Sequence, residues 1–307
     1  MRTHAIVNPA AGKGRVRRLW PDLEPRLRDA APGLTVEWTT APTEATRLAR
    51  AALRDGVERI VAVGGDGTLH EVVNGFFAED GTALDTSACL VPISCGSGTD
   101  FRRALNVPTE LDAVRLLESG RDAWVDLLRI EYTTAEGRRA HRYAVNITSF
   151  GLSSRVVQAV NRGGGRLPGP IRYFSAILCA LVGHRPFPVE LTLDGTPLAA
   201  SEIHLAAVAN GHTFGGGVHI APDAQYDDGE LDVVVLHDIS ALALLRRLPR
   251  FYQGTHLDLD GVATARGRRV TARARTDAPI WVEADGEVLG RLPVTVEVVP
   301  EALRVQC

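Results

Sequence analysis

The sequence predicts two domains, an α/β domain with a mostly parallel sheet followed by a β-sandwich domain. Up to about residue 120, short apolar runs alternate with segments of helical periodicity, which is typical of parallel strands covered by helices. From residue 126 onward, alternating runs are separated by Asp-Gly and Glu-Gly turns, the pattern of antiparallel strands. A chain of 307 residues also exceeds what one core normally organises. We place the domains at 1–123 and 124–292, and leave open that the tail at 293–307 returns to the first domain.

Composition and charge exclude several functional classes. The formal net charge is −3, so no basic field attracts nucleic acid, and no nucleic-acid partner is expected. The four cysteines show no C-x-x-C pair, which indicates a reducing compartment. The N-terminus reaches Pro9 and Gly12 too early for a signal peptide. The longest apolar run, Ala176–Val182, is far shorter than the ~20 residues of a membrane span. We therefore expect a cytoplasmic protein.

The stretch from Arg59 to Phe77 is the centre of the first domain. An apolar run at 60–63 ends in Gly-Gly-Asp-Gly-Thr at 64–68, and apolar residues then recur at helical spacing, which predicts a strand, a turn and a helix. The three glycines allow positive φ and leave no Cβ in the way of a ligand. Amides of such a turn and of the following helix N-terminus favour an anion. A phosphate site is therefore preferred over a turn that only reverses the chain.

Two further loops follow predicted strands in the same way. The strand at 4–7 leads into a glycine-bearing loop at 8–14, which matches neither a Walker loop nor a dinucleotide fingerprint. The strand at 88–93 leads into Ser94–Phe101, which carries hydroxyl groups and two glycines. Because ligands in open α/β sheets bind beyond the carboxyl ends of the strands, we expect the three loops to converge on one crevice.

Two further helices are predicted before the stretch from Arg59 to Phe77, and a third at 109–119. The segment at 16–30 has helical character, but we expect Pro21 and Pro25 to interrupt it. The second helix begins after Thr43, which we expect to cap it, and continues to about Arg54.

The second domain is predicted from alternating strands. They cover 127–132, 143–148, 189–193, 204–209, 231–236, 270–275, 280–283 and 294–298. The exception is Leu167–Val182, where apolar residues at helical spacing predict a helix. This helix either lines an apolar groove or simply packs on the sandwich, and the residues leave both interpretations open.

Two acidic turns of the second domain are candidates for chemistry. Residues 222–232 hold five carboxylates, which suit a hard cation as well as they suit a solvated hairpin. In the other turn, 283–287, Glu287 directly follows Asp-Gly and is ionised at neutral pH, so it could accept a proton as a general base. From these residues alone, a turn that only promotes solubility is the favoured alternative.

Five segments together resemble the motifs of one kinase family. They are Asn8-Pro9-Ala10-Ala11-Gly12, Gly64–Thr68 (GGDGT), Gly96–Phe101, the region from Asn210-Gly211 to Asp227-Asp228-Gly229, and Asp285-Gly286-Glu287. On these motifs the chain is identified as a member of the diacylglycerol kinase catalytic-domain family of bacterial lipid kinases. This family is related to sphingosine kinases and shares GGDGT with NAD kinases. The resemblance covers nearly the whole chain and implies an NAD kinase-like α/β domain followed by a β-sandwich.

The resemblance also implies a set of site residues. ATP would lie in a crevice between the domains, Asp66 would hold phosphate-bound Mg²⁺, and Glu287 would take the proton of the lipid hydroxyl. A structural magnesium site would comprise Asp228 with the carbonyl groups of Gln225 and Glu230. The residues expected around the nucleotide are Asn8, Pro9, Ala10, Ala11, Gly12, Thr40, Gly64, Gly65, Asp66, Gly67, Thr68, Leu69, His70 and Ser97.

Four positions depart from the family's pattern. Ser97 and Thr99 replace threonine and asparagine in the third loop. His70 replaces asparagine, and Ser94 replaces proline. Ser97 keeps a hydroxyl group for a phosphate contact, whereas Thr99 lacks an amide. None of the four replaces an acid assigned to catalysis, so we expect an active enzyme.

The resemblance implies an ATP- and Mg²⁺-dependent lipid kinase that transfers the γ-phosphate to a lipid hydroxyl, with diacylglycerol converted to phosphatidic acid as the first expectation. Phosphatidylglycerol or a sphingoid base is the alternative lipid. A catalytically silent nucleotide-binding regulator and an NAD kinase-type enzyme for a soluble substrate remain as alternatives. The expected partner is a membrane lipid, met transiently by a cytoplasmic protein peripheral to the inner face of the membrane. A homodimer stays open.

Overall fold

The structure is a computed structural model that describes residues 1–84, 87–95, 101–102, 105, 107–108, 110–162, 169–198, 202–237 and 239–307. The chain forms two compact units. Unit 1 comprises Met1–Val125 with Glu301–Cys307, and unit 2 comprises Asp126–Pro300. Unit 1 combines strands with helices, and antiparallel strands dominate unit 2, so the predicted fold class is confirmed.

Unit 1 contains a parallel sheet. Its strands are β1 (Thr3–Val7), β2 (Thr35–Trp38), β3 (Arg59–Gly64) and β4 (Cys89–Ser94), in the order β2-β1-β3-β4. The end of the last strand of the chain also pairs in parallel with β4, through Val305 and Leu90. Because all of these pairs are parallel, the carboxyl ends of β1, β3 and β4 lie at the same edge of the sheet.

Helices pack against this sheet. They are α1 (Ala11–Ala30), α2 (Glu44–Arg54), α3 (Asp66–Asn74), a 3₁₀ helix (Glu110–Arg115) and α4 (Leu116–Ser119). The apolar face of α1 packs on the sheet in a core that includes Leu23, Val61 and Val91. Burial of this apolar surface is the main force that holds the helices on the strands.

Pro21 and Pro25 lie inside α1 and do not interrupt it, contrary to the prediction. Each proline removes one N–H donor from the helix, but both side chains are exposed, so water can reach the side of the helix that loses these bonds. The opposite face is buried and stabilises the continuous helix; it consists of Val16, Trp20, Leu23 and Leu27. The non-helical residues of this element lie at its start instead, at Gly12–Gly14.

The N-terminus of α2 is capped by a residue from another helix. Thr43 occupies the N-cap position as predicted, but its φ is 66° and its side chain makes no cap hydrogen bond. The carboxylate of Glu71 accepts the backbone N–H groups of Thr43 at 2.9 Å and Ala45 at 3.1 Å instead. An acidic group suits this position because the helix N-terminus carries partial positive charge. The expected local cap is therefore replaced by a tertiary contact.

Unit 2 is built from antiparallel strands, of which the first begins, and the last ends, within the residues of unit 1. In chain order they are β5 (Asp122–Thr133), β6 (Arg139–Ala144), β7 (Ile147–Gly151), β8 (Phe187–Leu193), β9 (Thr196–Pro197), β10 (Glu202–Ala209), β11 (Leu231–His237), β12 (Val262–Gly267), β13 (Arg269–Ala274), β14 (Trp281–Ala284) and β15 (Glu287–Gln306). Neighbouring strands follow the order β12-β11-β10-β7-β14-β15, and β13 joins β15 to β8. Their shared core includes Leu128, Phe150 and Val270.

Three helices accompany these strands: α5 (Leu152–Arg162), α6 (Gly169–Leu181) and α7 (Ala241–Gln253). The predicted helix at 167–182 corresponds to α6, and residues 167 and 168 lie outside the described part. The sequence analysis missed α5, α7 and β12. Among the described residues, no helix is long and apolar enough to cross a bilayer.

Candidate functional site

The loops that follow β1, β3 and β4 contact one another in unit 1. The side-chain amide of Asn8 donates a hydrogen bond to the Thr68 hydroxyl, with Nδ2 and Oγ1 3.0 Å apart. The Cys95 amide donates to the carbonyl oxygen of Gly64 at 2.7 Å. The expected convergence is thus confirmed for the loops after β1 and β3. The third loop, including Ser97, lies outside the described residues apart from its first positions.

The loop at 8–14 is fixed at its first residues and at Gly12. Asn8 Oδ1 accepts the Ala10 amide at 3.0 Å, which holds Pro9 in a tight turn, and the Asn8 amide donates to the Val63 carbonyl at 2.9 Å. The next residues, Ala11 and Gly12, begin α1, where Gly12–Gly14 have left-handed φ values of 58°, 57° and 78°. A Cβ on Gly12 would lie 2.5 Å from the Cys95 carbonyl oxygen, so only glycine fits there.

None of the three glycines at 64–68 uses the positive φ that the sequence analysis allowed for, and Gly64 is required by close packing instead. Neither Gly64 nor Gly67 has positive φ, and Gly65 is extended, with φ −109° and ψ −172°. A Cβ on Gly64 would overlap the side chain of Thr68, which returns over the strand end. The helix α3 begins directly at Asp66, so the amides of its first turn have no acceptor within the helix. Such amides, at the positive end of the helix dipole, form a site for an anion.

Three side chains of α3 that were expected near the nucleotide differ in burial. Asp66 is half-buried in the first turn. Leu69 and His70 are only 6% and 2% exposed, so their side chains belong to the interior of unit 1. A phosphate near this turn would therefore meet backbone amides and Asp66, and the replacement of asparagine by His70 changes the interior more directly than the loop surface.

Thr40 follows β2 and is bound to the start of α2. Its amide and its hydroxyl both donate to Glu44 Oε2, at 2.6 Å and 2.8 Å. These bonds, first that of the Thr40 amide and then that of its hydroxyl, with a further contribution from Arg47, lower the pKa of the Glu44 carboxyl to about 2. The Thr40 hydroxyl proton is therefore committed, and its oxygen can only accept a bond from a ligand.

Glu287 lies on the tight hairpin between β14 and β15 in unit 2. Asp285 and Gly286 form its two-residue turn, with φ values of 48° and 86°, and Ala284 pairs with Glu287. Glu287 is half-buried, and its carboxylate makes no hydrogen bond or ion pair to any other residue that the structure describes. A carboxylate held in this way on a defined backbone can accept a proton from a hydroxyl group.

Asp285 binds the bend between β6 and β7. Its carboxylate accepts the backbone N–H groups of Val145 at 2.9 Å, Asn146 at 3.2 Å and Ile147 at 3.1 Å. The strand predicted at 143–148 is therefore divided in two, because these amides turn towards a side chain instead of a neighbouring strand. The sequence analysis gave Asp285 no role.

Asn146 connects the motifs of unit 2, and the sequence analysis missed it. The side chain is 6% exposed, donates from Nδ2 to the Thr213 carbonyl at 2.6 Å and accepts the Tyr226 hydroxyl at 2.7 Å. Its carbonyl oxygen accepts the Asn210 amide at 2.8 Å. The segments at 210–217 and 222–232 are thus attached to the same bend as the Asp285 turn. The only local signal was an asparagine inside an apolar run, which is unusual in a regular buried strand.

The acidic turn at 222–232 is neutralised in part by an arginine. Asp228 Oδ1 accepts the Glu230 amide at 3.0 Å, and Oδ2 pairs with Arg266. The Arg266 guanidinium also lies 3.2 Å from Glu230 and 3.4 Å from Asp232. Asp232 above all, then Asp228 and Glu230, raises the pKa of Arg266, while burial raises the pKa of the Asp232 carboxyl.

The same turn is joined to β5 through a buried acid. Asp126, 1% exposed, accepts the Gly229 amide at 2.7 Å. Three carboxylates face one guanidinium around Arg266, so negative charge remains in excess and suits a divalent cation. In the described part of the chain, no three His, Cys, Asp or Glu side chains converge as metal ligands. The predicted set has a single carboxylate, Asp228, with two carbonyl groups, and it stays a prediction.

Comparison with known proteins identifies the family. Residues 2–130 match the family model described as the diacylglycerol kinase catalytic domain, and residues 146–307 match the YegS C-terminal NAD kinase beta sandwich-like domain. The diacylglycerol kinase of Mycobacterium tuberculosis (strain H37Rv) is 31% identical over 305 residues, which cover 98% of this chain and 93% of that protein. The chain belongs to the diacylglycerol kinase family. Its relative named diacylglycerol kinase in Bacillus subtilis (strain 168) is 27% identical over 294 residues.

Solved structures of other proteins have the same fold as this chain. A crystal structure of a diacylglycerol kinase from Bacillus anthracis str. Sterne aligns with a TM-score of 0.72 at 22% identity, covering 99% of this chain and 96% of that one. Yeast NADH kinase in complex with NADH aligns with a TM-score of 0.56 at 11% identity, covering 100% of this chain and 83% of that one. The two-unit fold is therefore common to kinases of the diacylglycerol kinase family and to an NADH kinase.

We expect Gly12→Ala to destabilise the protein more than Gly33→Ala. Both glycines have left-handed φ, so both substitutions introduce backbone strain of ~1–2 kcal/mol. Only at Gly12 would the new Cβ also overlap a backbone oxygen, whereas nothing lies within 4 Å of that position at Gly33. The additional loss in the free energy of unfolding, measured by denaturant titration, should be roughly 1–3 kcal/mol. Equal losses would show that the 8–14 loop is not packed against Cys95.

Proposed function

We propose that this protein is a lipid kinase that uses ATP and Mg²⁺ to phosphorylate a lipid hydroxyl group, with diacylglycerol as the substrate and phosphatidic acid as the product. The observation that carries the proposal is the bonded pair of loops in unit 1, where Asn8 meets Thr68 beside the first turn of α3. Amides without a helical acceptor favour the phosphates of a nucleotide. The names of the relatives support the class of reaction and the lipid acceptor.

In the proposed reaction the acceptor oxygen attacks the γ-phosphorus, the bond to the β-phosphate oxygen breaks, and ADP leaves. The hydroxyl proton passes to the carboxylate of Glu287. The loop amides and Asn8 orient the phosphates, and Asp66 would hold Mg²⁺, which when bound neutralises phosphate charge. Orientation and charge neutralisation account for most of the rate in phosphoryl transfer.

The first test is the substitution Glu287→Gln. Without a base, we expect kcat for label transfer from γ-labelled ATP into the organic phase to fall about 10²- to 10⁴-fold, while ATP affinity stays within about twofold. Glu136→Gln is the control, because Glu136 also lies at a turn of unit 2 but is exposed and has no proposed role. Diacylglycerol, phosphatidylglycerol, a sphingoid base and NAD should be offered in parallel.

Each outcome of that panel separates two interpretations. Label on phosphatidylglycerol or on the sphingoid base would change the substrate and keep the mechanism. Label on NAD alone would indicate a kinase for a soluble substrate instead of a lipid kinase. The fold shared with yeast NADH kinase is compatible with that outcome. Unchanged turnover in Glu287→Gln would remove Glu287 as the base, and ATP binding without any transfer would favour a regulator.

We also propose that Asp228, with the carbonyl groups of Gln225 and Glu230, holds a structural Mg²⁺ ion. Residual negative charge around Arg266 supports the proposal. Both oxygens of Asp228 already have partners, however, so binding requires that the ion share Asp228 with Arg266. The ion would tie the acidic turn to a fixed position and take no part in the chemical step.

Thermal unfolding without nucleotide tests this site. Relative to EDTA, Mg²⁺ at a concentration about 100 times its Kd should stabilise the protein by roughly 2.7 kcal/mol. Asp228→Asn should lose this effect, and Asp227→Asn, at an exposed neighbouring residue, should keep it. If the effect appears only after Arg266→Ala, the guanidinium takes the place of the ion in the natural protein. An effect that survives Asp228→Asn would place the ion elsewhere.

We further propose that α6 meets the lipid bilayer, at the inner face of the membrane. Ile171 and Phe174 are 54% and 44% exposed, and Val182, just beyond the helix, is 76% exposed. Large apolar residues exposed at helical spacing on one element are typical of a face that lies in a membrane interface. Such a contact would be transient, because it involves few side chains.

Phe174→Glu tests the membrane contact. A charge in an apolar face opposes its burial in lipid, so we expect weaker sedimentation with vesicles and a KM for vesicle-borne lipid raised by about tenfold or more, with kcat on short-chain soluble lipid unchanged. Leu242→Glu is the control, since Leu242 is also an exposed large apolar residue, on α7, at 56%. An equal effect of both substitutions, or of neither, would remove α6 as the contact.

A further inference from the structure

We infer that Asp285 is a positioning residue for Glu287. Its carboxylate, bound by three consecutive backbone N–H groups, fixes the turn that presents the Glu287 carboxylate. This inference rests on the proposed function, in which Glu287 takes the proton of the acceptor. Asp285 itself stays bound to the backbone and contacts no reacting atom.

Asp285 forms several hydrogen bonds with the backbone of a segment that is distant in sequence. Its carboxylate accepts the amides of Val145, Asn146 and Ile147, and its own amide donates to the Ile147 carbonyl at 3.0 Å. Hydrogen bonds to an ionised acceptor are about twice as strong as those between neutral groups. Four bonds thus join the first residue of the turn to the bend between β6 and β7.

The second residue of the turn is attached separately. The Gly286 amide donates to Glu283 Oε2 at 3.2 Å. Glu283 is 1% exposed, and its other carboxylate oxygen accepts the hydroxyl of Ser149. The Thr148 hydroxyl donates to the Glu283 carbonyl at 2.8 Å. Both residues that precede Glu287 are therefore held by groups on or beside β7.

The bend that binds Asp285 is itself rigidly held. Asn146 uses its side chain to join Thr213 and Tyr226, and its carbonyl oxygen joins Asn210. A positioning contact is effective only if its anchor does not move, because a displacement of ~1 Å of a catalytic group can cost about 10²-fold in rate. The buried network around Asn146 supplies such an anchor.

A second turn in the same unit provides a matched comparison. Asp194 and Gly195 form a hairpin turn with φ values of 49° and 81°, close to those of Asp285 and Gly286. The Asp194 carboxylate likewise accepts backbone amides of a neighbouring segment, those of Arg268 at 3.1 Å and Arg269 at 2.8 Å. It is followed by Thr196 and not by a base. Asp194 therefore reports what such a contact contributes to stability alone.

The experiment measures kcat, KM for ATP and the thermal midpoint for Asp285→Ala, Asp285→Asn, Asp194→Ala, Glu287→Gln and the double variant Asp285→Ala/Glu287→Gln. We expect Asp285→Ala to lower kcat about 10- to 100-fold with KM for ATP within about twofold. Asp285→Asn should recover part of this loss, because its remaining amide oxygen still accepts N–H groups. Asp194→Ala should lower the thermal midpoint comparably and leave kcat unchanged.

The double variant separates positioning from general damage. If Asp285 acts through Glu287, the double variant turns over no more slowly than Glu287→Gln alone, because the positioned group is already gone. Hydrogen exchange provides an activity-independent measurement: Asp285→Ala should accelerate exchange of the amides at 145–147 and 284–288, and leave those at 193–196 unchanged.

Four results would overturn the inference. Three of them would leave Glu287 as the base. They are a kcat for Asp285→Ala equal to that of the unsubstituted protein, a kcat for the double variant reduced by the product of the two single effects, and unchanged amide exchange at 284–288 in Asp285→Ala. Full turnover in Glu287→Gln would overturn the base assignment of the proposed function together with this inference, so the two failures are distinguishable.

Discussion

Backbone N–H groups that lack a backbone acceptor are the constraint on which both units depend. At four places an acidic side chain accepts such amides: Glu71 at the start of α2, Asp126 at Gly229, Asp194 at the β13 segment, and Asp285 at the β6–β7 bend. An amide that is shielded from water and has no partner costs about 1–3 kcal/mol, so Asp126 and Asp285, whose bonds are partly buried, stabilise specific bends. The first turn of α3 differs, because its amides lie beside the loops, where an anionic ligand can accept their hydrogen bonds in place of a carboxylate.

In unit 2, acidic side chains also determine the charge and the position of the turn at 222–232. Around Arg266, three carboxylates, those of Asp228, Glu230 and Asp232, share one guanidinium. Exposed pairs of this kind contribute little individually, but together they orient the acidic turn. The turn is also tied to Asn146 through Tyr226 and to Asp126 through Gly229, so its position is set by buried hydrogen bonds as well as by charge. Charge excess and a fixed backbone are the two properties that a cation site requires.

Much of the fold and part of the candidate site could be predicted, for reasons visible in particular residues. The loops at 8–14 and 64–68 meet because parallel strands end at one edge, a rule that needs only the strand pattern. Positive φ, one of the two reasons given for the glycines, was wrong for Gly64, where overlap with Thr68 excludes a side chain. The α7 helix was missed although Ser240 caps its start and Gly254, with φ 69°, ends it, so a local signal for it existed. Asp285 could not have been assigned, since its partner Val145 lies 140 residues away.

What the amino-acid order settled was the alternation of strands and helices, the glycine motifs and the family, because periodicity and short motifs are local properties. The fold alone does not distinguish this family from an NADH kinase, whereas the sequence motifs and relatives do. The tertiary structure decided which carboxylate accepts which amide and where the strand predicted at 143–148 bends. It also decided at which glycine positions a side chain would overlap neighbouring atoms. These outcomes depend on groups brought together from distant parts of the chain, and a hydrogen bond specifies its partner by position in space and not by separation in sequence.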